Sequence, residues 1–132
     1  MRVIVIDDYQ PFVAVIANIL GRETYIQVVG QAYNGDDGLR LAADLNPDVV
    51  LVDFGMPGID GATVTRRLKA TAHPPKVVVI SYYDDSLYRD AALTAGADAC
   101  LYKGDLLKGL IPLLKRVVTP VEVSSTLQPP AS

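Results

Sequence analysis

Asp48-Val49-Val50-Leu51-Val52-Asp53-Phe54-Gly55-Met56-Pro57-Gly58-Ile59-Asp60-Gly61 is the stretch from which the fold is read. Residues 49–52 are an unbroken apolar run, mostly Val, which describes a short strand buried on both faces. The strand delivers a carboxylate, Asp53, to its carboxyl end. Gly55-Met56-Pro57-Gly58 neither prolongs a strand nor opens a helix cleanly. Asp60 is placed to cap a helix through Thr63, Val64 and Leu68. Asp53 is therefore expected at a strand-to-loop edge, half out of a dry core. In an open parallel α/β sheet that edge is where ligands bind.

Working outward, the same alternation of apolar runs and helical periods recurs. Toward the N-terminus, Arg2 to Asp7 reads as a first buried strand closed by Asp7-Asp8. Pro11 to Leu20 carries Phe12, Val13, Val15, Ile16, Ile19 and Leu20 at helical spacing, with Gly21 as its stop. Tyr25 to Ala32 is rich in β-formers and predicts a second strand. Asn34-Gly35-Asp36 supplies a turn and a cap for a helix through Leu39, Leu41, Ala42 and Leu45, ended by Asn46-Pro47.

Toward the C-terminus, a third helix runs from about Gly61 to Ala70, and His73-Pro74-Pro75 is a stiff connector. Lys76 to Ser81 is a fourth buried strand. Asp84-Asp85-Ser86 caps a helix through Leu87, Ala91, Ala92 and Ala95, stopped by Gly96. Ala97 to Tyr102 is a fifth strand. Asp105 is placed to cap a last helix through Leu106, Leu110, Leu114 and Val117, which Pro112 either kinks or divides. From Thr119 the chain loses both periods and becomes rich in Pro and Ser, so 119–132 reads as a linker or disordered tail after a single domain over 1–118.

A β-α unit repeated in this way predicts a parallel sheet with helices on both faces. Five strands favour the flavodoxin-like doubly wound order 2-1-3-4-5. Its switch point lies between strands one and three, whose ends carry Asp7, Asp8 and Asp53.

The totals narrow the function. The chain has 132 residues, half of them hydrophobic, and a formal net charge of −3. That suits one domain with a full core, and it argues against a nucleic-acid-binding surface, which shows a clustered basic excess. No apolar run approaches the roughly 20 residues of a membrane span. The lone Cys100 excludes an internal disulfide and fits a reducing compartment, so a cytoplasmic location is expected.

Three carboxylates meeting at one sheet edge repel one another unless a cation neutralises them. A hard divalent ion with oxygen ligands does so, and Mg²⁺ suits a site with few carboxylates, a carbonyl and room for water and phosphate. Gly55 has no side chain to obstruct its carbonyl. Lys103, after strand five, brings an ammonium to the same edge, and Ser81, after strand four, a hydroxyl. A metal, an ammonium and a hydroxyl converging on Asp53 are the equipment for holding a phosphoryl group, with Asp53 itself a candidate nucleophile. Taken singly, each residue has a bland reading: Asp7-Asp8 as helix caps, Ser81 as a common strand-end serine, Lys103 as a solvated lysine. Their conjunction on one edge is what points to chemistry.

With these residues in view, the chain resembles the receiver domain of two-component response regulators over about Met1 to Val118. The acidic pair Asp7-Asp8, the Asp53-x-x-Met-Pro-x-x-Asp-Gly61 motif, Ser81, Lys103 and the Gly96-Ala97-Asp98-Ala99 segment all match the family pattern. Receivers are themselves an instance of the 2-1-3-4-5 order, so fold and family are linked expectations. The resemblance implies Mg²⁺ held by Asp8, Asp53 and the Gly55 carbonyl, with Asp7 assisting. It implies phosphoryl transfer from a sensor histidine kinase to Asp53. It further implies a switched partner or homodimer surface, with no enzymatic turnover beyond Mg-dependent self-phosphorylation and slow autodephosphorylation. The 119–132 segment is similar to the linker of regulators with a helix-turn-helix output domain. DNA is then a partner only through such a domain, which is not in this chain, and no membrane partner is expected.

Two departures stand out. The family usually has Tyr or Phe three residues before the strand-five lysine; here Cys100 stands there, and Tyr102 immediately precedes Lys103. The residue after the strand-four hydroxyl is usually small; here it is Tyr82, followed by Tyr83. Ser81, Tyr82, Cys100 and Tyr102 are therefore the candidate switch residues. The alternative functions are a phosphorylation-independent interaction or dimerisation module and an aspartyl phosphatase. The latter usually places a second Asp where Gly55 stands. A flavin site is disfavoured because acids, not a phosphate-cradling loop, follow strand one.

Overall fold

The computed structural model describes residues 1–118; the expected 119–132 tail lies outside them. The elements are β1 (Arg2–Ile6), α1 (Gln10–Leu20), β2 (Gln27–Ala32), α2 (Gly35–Leu45), β3 (Val49–Asp53) and α3 (Gly61–Lys69). They continue with β4 (Lys76–Ser81), α4 (Ser86–Thr94), β5 (Ala99–Tyr102), a 3₁₀ turn (Lys103–Asp105) and α5 (Leu106–Val118). Every strand pair is parallel and the order is β2-β1-β3-β4-β5, as the alternating pattern predicts.

The unbroken apolar runs of β1, β3 and β4 follow from a sheet covered on both faces. Val3, Val5, Val49, Leu51, Val78 and Ile80 pack with Val13, Ile16 and Leu20 of α1 and Leu110 and Leu114 of α5. Their neighbours Ile4, Ile6, Val50, Val52, Val77 and Val79 pack with Ala42 of α2, Val64 and Leu68 of α3 and Ala92 of α4. Each fully buried Val, Leu or Ile contributes about 2 kcal/mol, and polar residues enter these strands only at their ends.

The caps fall where the sequence places them. Asn34, Asp60 and Asp85 each accept a backbone N–H at 2.8 Å, from Asp37, Thr63 and Leu87. The Thr63 bond also holds the Asp60 carboxyl below its ordinary pKa. Asn46 ends α2 in the left-handed region at φ 48°, and Gly96 follows α4 at φ 106°.

Some boundaries differ from expectation. Tyr25 and Ile26 form the turn into β2 rather than its start. Ala97 and Asp98 lie before β5: the Ala97 N–H closes back on Ala92 O, and the Asp98 carboxylate caps the Val77 N–H at 2.8 Å. Asp105 belongs to the 3₁₀ turn instead of capping α5 from outside. Pro112 neither splits nor ends α5, which runs on to Val118. The carbonyl that loses its helical partner to Pro112 is that of Lys108, an exposed residue.

Candidate functional site

The strand order lays the ends of β1 and β3 side by side, with β4 and β5 beyond them. Asp7 and Asp53 are buried there, 2% and 6% exposed, while Asp8 faces solvent. One carboxylate oxygen from each lies within 4.8 Å of the others. Among the described residues no second group of three acidic or metal-ligating side chains comes so close together.

Backbone geometry fixes this cluster. Phe54 N–H donates to Ile80 O at 2.9 Å, and Gly61 N–H to Phe54 O at 3.1 Å, so the 54–61 loop is pinned to β4 at one end and α3 at the other. Gly61 is obligatory: a Cβ there collides with the backbone of Asp53 and Phe54. Gly55 is the opposite case, with nothing near a would-be Cβ. It is exposed and lines the cavity over the acids.

Lys103 reaches the acids from the far side of the sheet edge. Its Nζ donates to Asp7 Oδ2 at 3.0 Å and stands 3.2 Å from Asp53 Oδ1. The other Asp7 oxygen accepts the Tyr9 N–H at 2.9 Å. The Lys103 side chain is only 5% exposed, and its ammonium lies between two rings, 4.0 Å from the Tyr82 centroid and 4.3 Å from that of Phe12. A desolvated cation–π contact is worth about 2 kcal/mol, and an exposed one about 0.5–1 kcal/mol.

The electrostatics describe a site short of positive charge. Burial raises the Asp7 pKa, and the Tyr9 and Lys103 hydrogen bonds offset only part of this. Burial and then the charge of Asp7 raise that of Asp53, again against Lys103. For Lys103, burial alone lowers the pKa; the bond to Asp7 and the fields of Asp53 and Asp7 outweigh it and hold the ammonium above its usual range. One lysine does not balance three acids. The donor set is compatible with a further cation: three carboxylate oxygens within 4.8 Å of one another, beside the cavity that Gly55 also lines.

A cavity of about 340 Å³ opens over this floor, rimmed by Tyr9, Phe54, Tyr82, Tyr83 and Tyr88. Ser81 stands between it and a crevice of about 120 Å³ that also takes in Tyr83, Cys100 and Tyr102. Its Oγ accepts the Tyr83 N–H at 3.0 Å. Cys100 is half-buried, with a free thiol whose pKa burial pushes up, and Tyr102 is exposed on the crevice side. Asp7, Asp8, Asp53, Gly55, Ser81, Tyr82 and Lys103 thus share one cavity, whereas Cys100 and Tyr102 lie behind Ser81. A larger groove of about 940 Å³, around Pro47, Leu68 and Pro74, lies at the opposite edge, away from the acids.

The sequence gives no signal for several of these neighbours. Phe12 occupies a core position in the helical period of α1, and nothing in that period brings it to Lys103. Tyr83 stacks on Tyr88 at 4.7 Å, and Tyr88 meets Phe54 edge-on at 5.6 Å, joining the loops after β3 and β4.

The profile of the family described as "Response regulator receiver domain" matches residues 3–111. The chain is 37% identical over 117 residues to the response regulator GacA of Pseudomonas aeruginosa, covering 89% of this chain and 55% of that protein. It is 36% identical over 105 residues to the transcriptional regulatory protein LiaR of Bacillus subtilis, covering 78% and 49%. The chain thus spans about half the length of the curated relatives it matches. The signal receiver domain of the putative response regulator NarL from Mycobacterium tuberculosis superposes with a TM-score of 0.77 at 33% identity, over 86% of this chain and 95% of that one. Among the described residues, no helix is long and apolar enough to cross a membrane.

Proposed function

The chain belongs to the response regulator receiver family, and from that premise we propose that Asp53 accepts a phosphoryl group from a phosphohistidine of a sensor kinase. The observation that carries this is the ammonium of Lys103 held at 3.0 and 3.2 Å from two buried carboxylates that lie beside a third. A carboxylate oxygen of Asp53 attacks phosphorus. The new Asp53 O–P bond forms as the donor's N–P bond breaks, and the imidazole leaves with the bonding pair. Asp7, Asp8, Asp53 and the Gly55 carbonyl are the residues to hold Mg²⁺, which when bound neutralises the phosphoryl oxygens. Lys103 moves its hydrogen bonding from Asp53 toward the phosphoryl group. Ser81 gives up the Tyr83 N–H and donates its own O–H to a phosphoryl oxygen.

The consequence is a packing change. Release of the Tyr83 N–H loosens the loop that leads into α4, and Tyr83, Tyr88 and Phe54 move together because their rings touch. The face of α4, with exposed Leu87, is then presented to a partner or a second copy. The domain turns over nothing apart from its own phosphate. The protein would act on DNA through a separate domain, in the cytoplasm where the kinase's phosphohistidine is available; the similarity to a relative named as a transcriptional regulatory protein supports this.

Titration with Mg²⁺ and beryllofluoride tests this reading. The chain has no Trp and seven Tyr, four of them around the cavity, so tyrosine emission reports the site. A saturable change that needs both Mg²⁺ and beryllofluoride is expected. A module working only by docking gives no saturable response, and that result would overturn the proposal.

A further inference from the structure

The groove of about 940 Å³ at the amino edge of the sheet has no part in the phosphoryl chemistry. Its apolar lining comes from Leu39 and Ala42 of α2, Leu68 of α3, and Pro47, Pro74 and Pro75 of the connections into β3 and β4. Such a surface favours an occupant with apolar side chains. Val118, the last residue of α5, lines the same groove. The chain therefore passes from α5 into residues 119–132 at the groove's own wall.

The composition of 119–132 suits that place. The segment carries Pro120, Val121, Val123 and Leu127, and Glu122 is its single charged residue. Thr119-Pro120 disfavours a continuation of α5. Val121 to Leu127 stand three to nine residues past Val118, a reach of about 10 to 30 Å when extended, against helices about 10 Å across. Val121 and Val123 are two apart, so in an extended segment they share one face and Glu122 takes the other. The charges agree with this register. Arg67 lines the groove from an exposed position, and its guanidinium makes no ion pair or hydrogen bond among the described residues. The other lining charges are engaged: Lys76 stands 3.9 Å from Asp98, and Asp48 accepts the Arg2 N–H. A segment too polar to build a core needs no fold of its own to bind, and a short tether holds it at the groove at about millimolar effective concentration.

We propose that this groove is the seat of the chain's own 119–132 segment, with Val121 and Val123 on Leu39 and Leu68 and Glu122 paired with Arg67. The contact fixes the direction in which the chain leaves the domain, at the edge opposite Asp53. It stands apart from the phospho-acceptor reading, and neither needs the other.

Nuclear magnetic resonance on the full chain, labelled at methyl and amide groups, tests it. Overhauser contacts from the Val121 or Val123 methyls to those of Leu39 or Leu68 are expected. Amide order parameters over 121–123 are expected above about 0.7, against less than about 0.6 for a free segment. Arg67→Glu brings them below about 0.6, and Arg67→Glu combined with Glu122→Arg restores them. Val121→Ser with Val123→Ser releases the segment while leaving residues 1–118 unaltered, so that loss of the contacts is not loss of the fold. A mixture of labelled and unlabelled chains shows whether the contacts lie within one molecule. Order parameters below about 0.6 with no methyl contacts in the unaltered protein overturn the proposal. So do contacts found only between labelled and unlabelled chains, which give the groove to a second copy, or contacts that Arg67→Glu leaves unchanged.

Discussion

Acidic residues flank the strands at both edges of the sheet, and they do opposite things. At the amino edge, Asp48 precedes β3 and accepts the Arg2 N–H at 2.7 Å. Asp98 precedes β5 and accepts the Val77 N–H at 2.8 Å and the Lys69 ammonium at 2.9 Å. Each joins the start of its own strand to the start of a neighbour. At the carboxyl edge, Asp7 and Asp53 follow their strands, are buried together, and share a lysine. The difference lies in the direction of the parallel sheet. Its amino edge ends in unpaired N–H groups, which carboxylates satisfy. Its carboxyl edge ends in carbonyls, so acids there add negative charge to negative dipoles and call for a cation. One residue type serves as a splice at one edge and as a charged, reactive group at the other.

The strongest way to break this contrast is to exchange the roles. Asp53→Asn abolishes phosphate incorporation from acetyl phosphate. Asp98→Asn keeps it and instead lowers unfolding free energy by about 2 kcal/mol, the worth of hydrogen bonds to a charged acceptor. Phosphoprotein gels and urea denaturation read the two effects separately. Retained uptake in Asp53→Asn would erase the distinction between the edges.

Next in size is the lysine. Lys103→Ala leaves Asp7 and Asp53 facing each other without their ammonium, which costs about 3 kcal/mol at neutral pH in the absence of metal. Urea unfolding with and without Mg²⁺ checks it, and Mg²⁺ restores part of the loss. An unchanged stability would mean that the ion pairs at 3.0 and 3.2 Å contribute nothing net.

The third effect is a pH dependence whose sign follows from burial. The folded pKa values of Asp7 and Asp53 are raised, burial being the main cause in each. Over the window between the ordinary carboxylate pKa and these raised values, the folded chain holds protons that the unfolded chain has released. Metal-free stability therefore falls as pH rises through that window. Mg²⁺ competes with those protons, so its stabilising effect is larger above the window than within it. Melting at about pH 4.5 and about pH 7.5, with and without Mg²⁺, measures this. A larger Mg²⁺ increment at the lower pH would contradict the assignment of these acids to the metal.

The smallest effect is expected at Cys100. Placing a ring there by Cys100→Tyr fills the crevice of about 120 Å³ behind Ser81. It alters dimerisation or partner binding after phosphorylation while leaving phosphate uptake intact, as analytical ultracentrifugation of both states will show. No change in either state would remove Cys100 from the switch.

Much of this was legible in the chain itself. The 49–52 run and its counterparts at 3–6 and 77–80 announce strands covered on both faces, because only such strands exclude polar residues from both registers. Asn34, Asp60 and Asp85 read as caps and act as caps. The acids after β1 and β3, with Ser81 and Lys103, follow from topology once the strand order is known. What was not legible depends on contacts across the sheet edge. No period ties Phe12 of α1 to Lys103 after β5, or Tyr88 of α4 to Phe54. The misplaced starts of β2 and β5 have a similar origin. Ala97 has the composition of a strand, but its N–H is taken by the end of α4, and Asp98 is drawn into the splice with Val77.

The measurement that bears most directly on the whole account is site mapping of the phosphoryl group. The chain is treated with acetyl phosphate with or without Mg²⁺, the acyl phosphate is reduced with borohydride, and peptides are read by mass. A single modified residue, Asp53, that appears only when Mg²⁺ is present is the predicted result. Modification at Asp48, at Asp98 or nowhere would contradict it.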